Sequence, residues 1–486
     1  MNLYVTCHPE RVLRTLILRL MTAGILLGAC AMVHADDGDP DTTFAGSGKA
    51  VYRWPTSYEG HTVEKATTRA VAALADGRIV IAGTFDPSSL AQMCAIRRFK
   101  SNGDNDYDFG EGTAALGTAF VEFGDPLARN EALGVFAGAA NTILVVGVAE
   151  TMNSPGHRPA MARLLANGQL DPSFGVGGRQ IIQNQPFGPS ARTLFNSVAM
   201  APDGKILMAG YCDDCSGGSG DDFVAVRLNP NGTVDGTYGT SGWFRFGRND
   251  GQSRALPEVA TAVAVDTQGR VILGGYSEAY NDNSHQQKPL LVRTTPIGQL
   301  DTAFNVTGVL DVNLLGSLAT SALAIDAYND GIILAANITN SASVVPGAVL
   351  TRIKRTGVVD TTFGQGGLVF LQYDEGTNVT ALVVRRDRRI VAAGWIDPVG
   401  NDTRDFFAAR MLFNGVLDNS FDGNGVNRYT MPFEVNSIDI PFAMTLSGER
   451  PVIAGSLFDP TAPGFGKYAS AVVRLQSDAI FENDFD

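Results

Sequence analysis

The segment that decides the fold runs from Leu170 to Gly175 and reads Leu-Asp-Pro-Ser-Phe-Gly. Its Asp-x-x-Phe core, or the same motif with Tyr, starts at Asp41, Asp106, Asp171, Asp235, Asp301, Asp360 and Asp418. The successive spacings are 65, 65, 64, 66, 59 and 58 residues. A motif that returns at a nearly fixed period indicates a repeat architecture, in which each unit buries its apolar surface against its neighbours.

Two further phrases also occur seven times. The first consists of apolar residues, a polar turn and a short apolar run that usually ends in Gly. It is clearest at 71–83 and 198–210, with weaker copies at 133–147, 263–275, 323–336, 382–394 and 442–455. The second is an apolar segment with an arginine near its end, at Arg97, Arg163, Arg227, Arg293, Arg352, Arg410 and Arg474.

Short runs of β-favouring residues lie between these turns, as in Trp243–Phe246 and Leu368–Leu371. Such runs, bounded by Gly and Asp clusters, predict strands. Four strands in a unit of roughly 60 residues match one blade of a propeller, whose twisted sheets pack face to face around a channel. We therefore predict an all-β fold, a single seven-bladed β-propeller of four-stranded blades over residues 36–476.

The two ends of the repeat region predict how the ring closes. The region begins with Asp41 and a lone strand around Lys49–Trp54, whereas the last unit stops soon after the strand that carries Arg474. We expect the N-terminal strand to complete the last blade, because this removes an exposed sheet edge. An open solenoid would instead need polar caps at both ends.

The repeated phrases resemble the delta-60 repeat family, whose units combine an Asp-Gly-Lys/Arg turn, an arginine strand and Leu-Asp-x-Ser-Phe-Gly. The closest local match is Ala201–Ile206, which reads Ala-Pro-Asp-Gly-Lys-Ile, together with Leu170–Gly175. The resemblance covers about residues 39–475 and implies an exported propeller-like protein. It supplies no catalytic residues. Local departures occur at Ala139–Asn141, Asp387–Arg389 and Pro451, and affect turn types more than the ring.

Residues 1–35 have the pattern of a signal peptide. Arg11, Arg14 and Arg19 precede an apolar run at 20–33, and cleavage is expected after Ala35. This run of 14 residues is too short for a transmembrane helix. The alternative is a lipobox at 26–30, which would place a lipid anchor on Cys30. The predicted location is therefore secreted, periplasmic or at the cell surface, with an outer-membrane lipoprotein as the alternative.

The net charge of the chain argues against some classes of binding partner. The chain has 37 basic and 50 acidic residues, and removal of residues 1–35 leaves 34 and 49, a net charge of 34 − 49 = −15. Such acidity argues against nucleic acid or an anionic membrane as partner. The acidic C-terminal tail, residues 477–486, lies outside the repeat and is expected to be a frayed terminus or a sorting element.

Three cysteines remain after cleavage at Ala35. In an oxidising compartment Cys212 and Cys215 are expected to close a small disulfide loop, leaving Cys94 as a buried thiol in a strand. A redox-active CxxC is disfavoured, because such motifs start a helix within a βαβ unit.

The repeated Asp and Arg occur once per unit, which favours a structural ion pair or turn cap over catalysis. The repeated Phe or Tyr is expected to wedge between blades. Ligand binding is expected in the loops that vary, at 84–93, 148–159, 211–222, 276–289, 395–405 and 456–468. Tyr211, Tyr276 and Trp395 hold the same repeat position there, so these aromatic side chains are candidate binding residues, with inter-blade packing as the alternative.

No catalytic residue, metal ligand or cofactor site is predicted. The loop from Asp213 to Asp222 has four carboxylates but lacks EF-hand spacing, so a solvated acidic loop is favoured over calcium binding. His61, His157 and His285 lie in different units, and no zinc, phosphate-loop or nucleophile-elbow motif is present.

Three functions fit these patterns. The favoured one is a noncatalytic module outside the cytoplasm that binds an unknown protein or glycan through loops on one face. The second is a glycan-acting hydrolase or lyase at the channel mouth, because propeller sites assemble from distant residues that sequence motifs do not reveal. The third is a surface structural protein. Whether the protein is an enzyme is left open, and a noncatalytic role is favoured.

Overall fold

A computed structural model describes residues 37–110, 117–124, 129–150, 156–183, 185–188, 191–215, 220–248, 256–281, 284–314, 318–326, 331–338, 347–373, 376–397, 403–431, 438–458 and 468–477. The predicted signal peptide with Cys30, and nearly all of the C-terminal tail, lie outside these residues. Within them the fold is all-β, with seven antiparallel sheets and one short 3-10 turn at Ala139–Asn141. No helix among them is long and apolar enough to cross a membrane.

The strands follow the chain blade by blade. Before blade 1 comes β1 (Lys49–Arg53). Blade 1 has β2 (Ser57–Tyr58), β3 (His61–Ala66), β4 (Ala70–Ala73), β5 (Ile79–Pro87), β6 (Met93–Phe99) and β7 (Thr118–Val121). Blade 2 has β8 (Arg129–Ala137), β9 (Ile143–Glu150), β10 (His157–Leu164) and β11 (Arg179–Ile181). Blade 3 has β12 (Arg192–Met200), β13 (Ile206–Asp213), β14 (Asp222–Leu228) and β15 (Trp243–Phe246).

Blade 4 has β16 (Glu258–Val265), β17 (Val271–Asn281), β18 (Ser284–Thr294) and β19 (Val309–Asp311). Blade 5 has β20 (Leu318–Asp326), β21 (Gly331–Ile338), β22 (Ala348–Ile353) and β23 (Leu368–Leu371). Blade 6 has β24 (Gly376–Val384), β25 (Ile390–Asp397), β26 (Asp405–Met411) and β27 (Val426–Tyr429). Blade 7 has β28 (Ile438–Ser447), β29 (Arg450–Phe458) and β30 (Tyr468–Arg474).

The N-terminal strand completes blade 7, as predicted. Strand β1 pairs antiparallel with β30, with Ala50 opposite Val472, so the sheet order is β1-β30-β29-β28. The Asp41 carboxylate accepts a 2.8 Å hydrogen bond from Arg474 Nε. The Asp37 carboxylate also pairs with Arg410 of blade 6. The two ends of the ring are therefore joined by backbone pairing and by buried ion pairs.

The repeated Asp, Arg and aromatic residue form one clasp in each blade. In blade 3, Arg227 Nε donates to Asp235 Oδ2 at 2.8 Å, and the guanidinium lies 4.6 Å from the ring centre of Tyr238. Asp235 Oδ1 caps the backbone nitrogen of Thr237 at 3.1 Å. Arg227 Nη1 donates to the carbonyl of Pro296 in blade 4. The clasp thus fixes a turn and ties neighbouring blades, which confirms its structural role.

Six other clasps join Arg98 to Asp106, Arg163 to Asp171, Arg293 to Asp301, Arg352 to Asp360, Arg410 to Asp418 and Arg474 to Asp41. The prediction of Arg97 as the repeated arginine in blade 1 was wrong. Within a blade the arginine precedes its aspartate by eight residues, and Arg98 has this spacing. Arg97 is instead buried with its guanidinium over the Tyr52 ring, 3.2 Å from the ring centre.

The Gly that ends the apolar phrase at 71–83, 198–210 and their copies has a steric reason. In blade 3 the innermost strand bulges between Phe195 and Ser197, opposite Gly210. A Cβ on Gly210 would lie 1.8 Å from the carbonyl oxygen of Leu194. Gly83, Gly147, Gly275, Gly394 and Gly455 meet a carbonyl oxygen of the innermost strand in the same way, at 1.8–2.2 Å. In blade 5, Ala336 holds this register.

Apolar side chains fill the spaces between adjacent sheets rather than one central core. Between blades 1 and 2, for example, Val80 and Phe109 belong to the same buried cluster as Val135 and Val145. The structure also pairs Cys212 with Cys215 and leaves Cys94 as a buried free thiol, as predicted.

Candidate ligand-binding site on the loop face

Strand direction divides the loops between two faces of the ring. Connections from the second to the third strand, and from each blade to the next, emerge on one face, which we call the loop face. The Asp-x-x-Phe turns and the turns after the innermost strands emerge on the opposite face, the turn face. The variable loops predicted to carry function therefore share a face, as expected from the antiparallel pairing.

The central channel has a volume of about 440 Å³. Its wall includes one residue from the bulge or break in the innermost strand of each of blades 1, 2, 3, 4, 6 and 7. These residues are Arg69, Leu133, Asn196, Thr261, Thr380 and Phe442. The bulge turns these side chains toward the channel, because the extra residue has no partner in the second strand.

Most polar groups of the channel already bind the next blade. Asn196 Nδ2 donates to the carbonyl oxygen of Ala260 at 2.9 Å, and Thr380 Oγ1 donates to that of Pro441 at 2.8 Å. Asn337 forms two hydrogen bonds with the backbone of Val379, at 2.9 and 3.0 Å. These groups hold the blades together, so few of them are left for a ligand.

A second cavity lies on the loop face between blades 1 and 2, beside the channel mouth. Its volume is about 230 Å³, and its wall consists of Lys65, Thr67, Arg69, Thr84, Gln92, Arg129, Glu131, Val148, Glu150 and His157. We call it the 1–2 pocket. Arg69 lines both the 1–2 pocket and the channel. Strands β3, β8, β9 and β10 supply most of its charged groups, from ends that converge on this face.

One ion pair crosses the floor of the 1–2 pocket. Arg69 Nη2 lies 2.9 Å from Glu131 Oε1, with the Arg69 side chain 43% exposed and that of Glu131 23% exposed. The pair joins the break in the innermost strand of blade 1 to the innermost strand of blade 2. Because it is partly screened by solvent, its main effect is to orient both side chains.

His157 stands opposite Glu150 at the start of β10. Its Nδ1 atom is buried and has no hydrogen-bond partner among the described residues. Burial lowers the pKa of His157 below its ordinary value of 6.5, although Glu131 and Glu150 act in the opposite direction. The imidazole is therefore neutral at pH 7 and presents an unused nitrogen.

Two further cations of the 1–2 pocket are unpaired. Lys65 and Arg129 are exposed, and neither side chain forms a hydrogen bond or ion pair with any residue that the structure describes. Both lie within electrostatic range of Asp86, a carboxylate just outside the pocket wall whose pKa is raised chiefly by burial. Both cationic groups therefore remain available to a ligand.

The predicted aromatic residues lie elsewhere on the loop face. Tyr211 and Tyr276 occupy neighbouring blades, both half-buried, and burial together with nearby Asp221 raises the pKa of each. They are close enough for Tyr211 to affect the pKa of Tyr276. Trp395 is two blades further on, and the Arg404 guanidinium covers its ring at 4.1 Å. The structure thus brings the two tyrosines together but not the tryptophan.

The same repeat position serves packing in other blades. There Asn337 binds Val379, and Ser456 Oγ accepts a 2.8 Å hydrogen bond from the backbone nitrogen of Thr68.

The acidic loop is described only in part, since residues 216–219 fall outside the described ranges. In the part of the chain that the structure covers, no group of three or more His, Cys, Asp or Glu side chains is placed to hold a metal.

Sequence reasoning missed the 1–2 pocket. It treated His157 as isolated, but strand pairing places it beside Glu150, and Glu131 lies near it. One signal was available: Arg69 is a charged residue at the break in the innermost strand, where other blades have Asn196 or Thr380. Glu131 lies in the next unit, two residues before the bulge residue Leu133. Charged residues in or beside the innermost strands of two consecutive units indicate a local polar site.

Comparison with known proteins supports the propeller. A family model described as "Domain of unknown function (DUF5122) beta-propeller" matches residues 74–109, 141–174, 201–238 and 385–421. These segments run from the turn after the innermost strand to the Asp-x-x-Phe motif in blades 1, 2, 3 and 6. The chain is thus similar to this family over four of its blades. No curated protein matches it in sequence.

Solved structures align with the chain at low sequence identity. An ulvan lyase, one of the polysaccharide lyases, aligns over 91% of this chain and 97% of its own, with 9% identity and a TM-score of 0.48. A protein of unknown function from Dyadobacter fermentans aligns over 88% and 98%, with 11% identity and a TM-score of 0.42. An α-L-arabinofuranosidase from Fusarium graminearum aligns over 70% and 91%, with 13% identity and a TM-score of 0.39. These alignments carry no information on the ligand of this chain.

Proposed function

We propose that this protein is a noncatalytic binding module that holds a protein or glycan ligand on the loop face, with the 1–2 pocket as its central contact. One observation carries the proposal. Lys65 and Arg129 line a concave site without partners among the described residues, whereas most polar groups of the channel bind neighbouring blades. A concave site with a few convergent polar groups is the usual form of a ligand site.

The proposed place of action is outside the cytoplasm. Residues 1–35 have the pattern of an export signal, with lipidation at Cys30 as the alternative, and residues 36–476 would then be the exported propeller. The disulfide between Cys212 and Cys215 supports this, because such bonds persist in oxidising compartments.

Aromatic side chains extend the proposed surface. Tyr211 and Tyr276 offer two neighbouring half-buried rings, and Trp395 offers a third on blade 6. Such rings bury apolar area with little loss of side-chain freedom, which suits contacts with sugar faces or peptide side chains. We propose that they add contact area around the pocket.

A thermal-shift screen tests the function. The chain from Asp36 onward is mixed with neutral glycans, acidic glycans, peptides and calcium, because a ligand that binds the native state raises the melting temperature by mass action. We expect at least one glycan or peptide to raise it, and the shift to shrink in Lys65→Ala/Arg129→Ala. A triple change of Tyr211, Tyr276 and Trp395 to Ala measures the contribution of the rings.

A matched control removes two exposed cations on the turn face, in Lys100→Ala/Arg355→Ala. If this control loses the shift as fully as the pocket variant, charge in general and not the pocket is responsible. If no compound shifts the melting temperature and the chain multimerises, the structural role replaces the binding role.

The second candidate is a glycan-acting hydrolase or lyase, and His157 is the observation that favours it. A neutral imidazole with an unused buried nitrogen, beside Arg69 and Glu131, has the form of a general base in a charged pocket. Prolonged incubation with acidic and neutral polysaccharides, followed by assays for new reducing ends and unsaturated sugars, tests it. Turnover that disappears in His157→Gln would replace the noncatalytic proposal.

A further inference from the structure

The 1–2 pocket has a charge balance opposite to that of the chain. The chain carries a net charge of −13. The pocket wall carries Lys65, Arg69 and Arg129 against Glu131 and Glu150, which gives 3 − 2 = +1 with His157 neutral, and the carboxylate of Asp86 lies just outside this wall. An acidic protein that concentrates cations in one concavity creates a local field that attracts anions.

We propose that the 1–2 pocket binds the carboxylate of an acidic sugar, with Lys65 and Arg129 as the groups that contact this carboxylate. The inference rests on the proposed loop-face function and names the ligand class of that same site. Arg69 is excluded from the contact, because its guanidinium is 2.9 Å from Glu131 and oriented by it. Lys65 and Arg129 have no such partner among the described residues.

The carboxylates of the pocket limit the charge of the ligand. Glu131 and Glu150 lie in the same wall as the two free cations. A single negative charge is compensated by these cations, whereas a phosphate dianion or a nucleic acid brings further charge toward Glu131 and Glu150. The pocket therefore favours a monoanionic group, and a carboxylate can accept hydrogen bonds from both an ammonium and a guanidinium.

The other residues of the pocket wall can form hydrogen bonds with ligand hydroxyl groups. Thr67, Thr84, Gln92 and Glu150 offer donors and acceptors, and Val148 is the one apolar residue among those that line the pocket in the described part of the chain. Sugar hydroxyls both donate and accept hydrogen bonds, so they can satisfy carboxylate, amide and hydroxyl partners together. An apolar peptide side chain would find little matching surface here.

Calorimetric titration tests the inference, with digalacturonate and its dimethyl ester as probes. The two have the same sugar framework, but the ester has no charge. We expect digalacturonate to bind at least about tenfold more tightly than the ester, and Lys65→Ala/Arg129→Ala to weaken digalacturonate by about tenfold or more, in keeping with the cost of losing a charge-assisted hydrogen bond. Because both side chains are exposed and unpaired, the variant should fold normally, and its melting temperature confirms this.

The control Lys100→Ala/Arg355→Ala, which removes one exposed lysine and one exposed arginine on the turn face, changes the net charge equally but should leave digalacturonate affinity unaltered. If the acid and the ester bind equally, the ligand class is wrong while the loop-face function stands. If inorganic sulfate binds as tightly as digalacturonate, the pocket is a simple anion site and the sugar assignment is overturned. If no glycan or peptide binds in any assay, the proposed function itself fails.

Discussion

At the scale of single residues, burial sets the ionisation of two groups near the loop face, Glu258 and His157. Glu258 is fully buried at the start of β16, where its oxygens accept 3.2 Å hydrogen bonds from the backbone nitrogen and the Nε atom of Arg248. Burial outweighs these bonds and raises its pKa to about 7. Its position and its bonds to Arg248 indicate that it stabilises the connection from blade 3 to blade 4.

Glu258→Gln should therefore change how stability depends on pH. The folded-state pKa of about 7 is above the ordinary 4.5, so the proton stabilises the folded protein, fully below pH 4.5 and progressively less as the pH rises through 7. The difference amounts to on the order of 3 kcal/mol. We expect the melting temperature of the wild type to fall relative to that of Glu258→Gln between pH 5 and 8. Parallel curves over this range would contradict the burial argument.

His157 should make anion binding depend on pH. The charged groups that face it are Glu131 and Glu150, which favour its protonated form, and Arg69 and Arg192, which oppose it. Because burial holds its pKa below 6.5, His157 takes up its proton only as the pH falls below 6.5, and this adds positive charge to the 1–2 pocket. We expect digalacturonate affinity to rise as the pH falls, and to rise less in His157→Gln. Equal rises in both proteins, measured by calorimetry, would assign the effect to other groups.

The sequence predicted the residues that repeat and missed those that do not. Asp235 and Arg227 are recognisable as structural because each has a counterpart in every unit. Lys65, Arg129 and His157 have no such pattern, and their proximity depends on which strands pair and how neighbouring blades face each other. Arg97 and Arg98 show the limit even within a repeat, because only the eight-residue spacing distinguishes them.

At the scale of elements, the bulge in the innermost strand explains several features at once. In blades 2, 3, 4, 6 and 7 it presents one side chain to the channel, and it brings a carbonyl oxygen against the Gly of the second strand. The sequence identified this Gly as the end of a repeated phrase. The reason that no side chain fits there, a carbonyl oxygen of the innermost strand, is visible only from the strand register. The turns that depart from the repeat pattern differ from it only locally. Asn141 and Arg388 adopt left-handed φ values of 58° and 66° where other blades have Gly.

Gly210→Ala should be strongly destabilising. Its Cβ would lie 1.8 Å from the Leu194 carbonyl oxygen, so the two innermost strands of blade 3 would have to separate. We expect a loss of a few kcal/mol, as is typical when a backbone position cannot accept a side chain. Gly236→Ala is the matched control, because a Cβ there meets nothing within 4 Å. Chemical denaturation of both variants measures the difference, and similar losses would contradict the steric account.

At the scale of the whole molecule, pairing of the N-terminal strand with the last blade joins the seven sheets into a closed ring. Strand β1 covers the edge of β30, and Asp41 and Asp37 add ion pairs to Arg474 and Arg410. The sequence predicted this closure because the count of units and the unpaired strands at the two ends agreed. It did not predict the Asp37 contact, which has no counterpart in the repeat.

Removing residues 36–54 should open the ring. The β30 edge would then be unpaired, and unpaired edges associate with other chains. We expect a lower melting temperature and larger species in gel filtration. A synthetic peptide of residues 37–54 should restore the monomeric elution and most of the melting temperature. A truncated chain as stable and monodisperse as the full one would show that β1 does not close the ring.

We propose that the loop face, and not the turn face, receives the ligand. Hydrogen exchange measured by mass spectrometry, with and without a saturating ligand from the screen, tests it most directly, and digalacturonate is the predicted ligand. We expect slower exchange in segments 61–69, 84–92 and 129–131, which form the wall of the 1–2 pocket, and no change at 101–110 or 165–178 on the turn face. Slowed exchange confined to the turn-face segments would contradict the account.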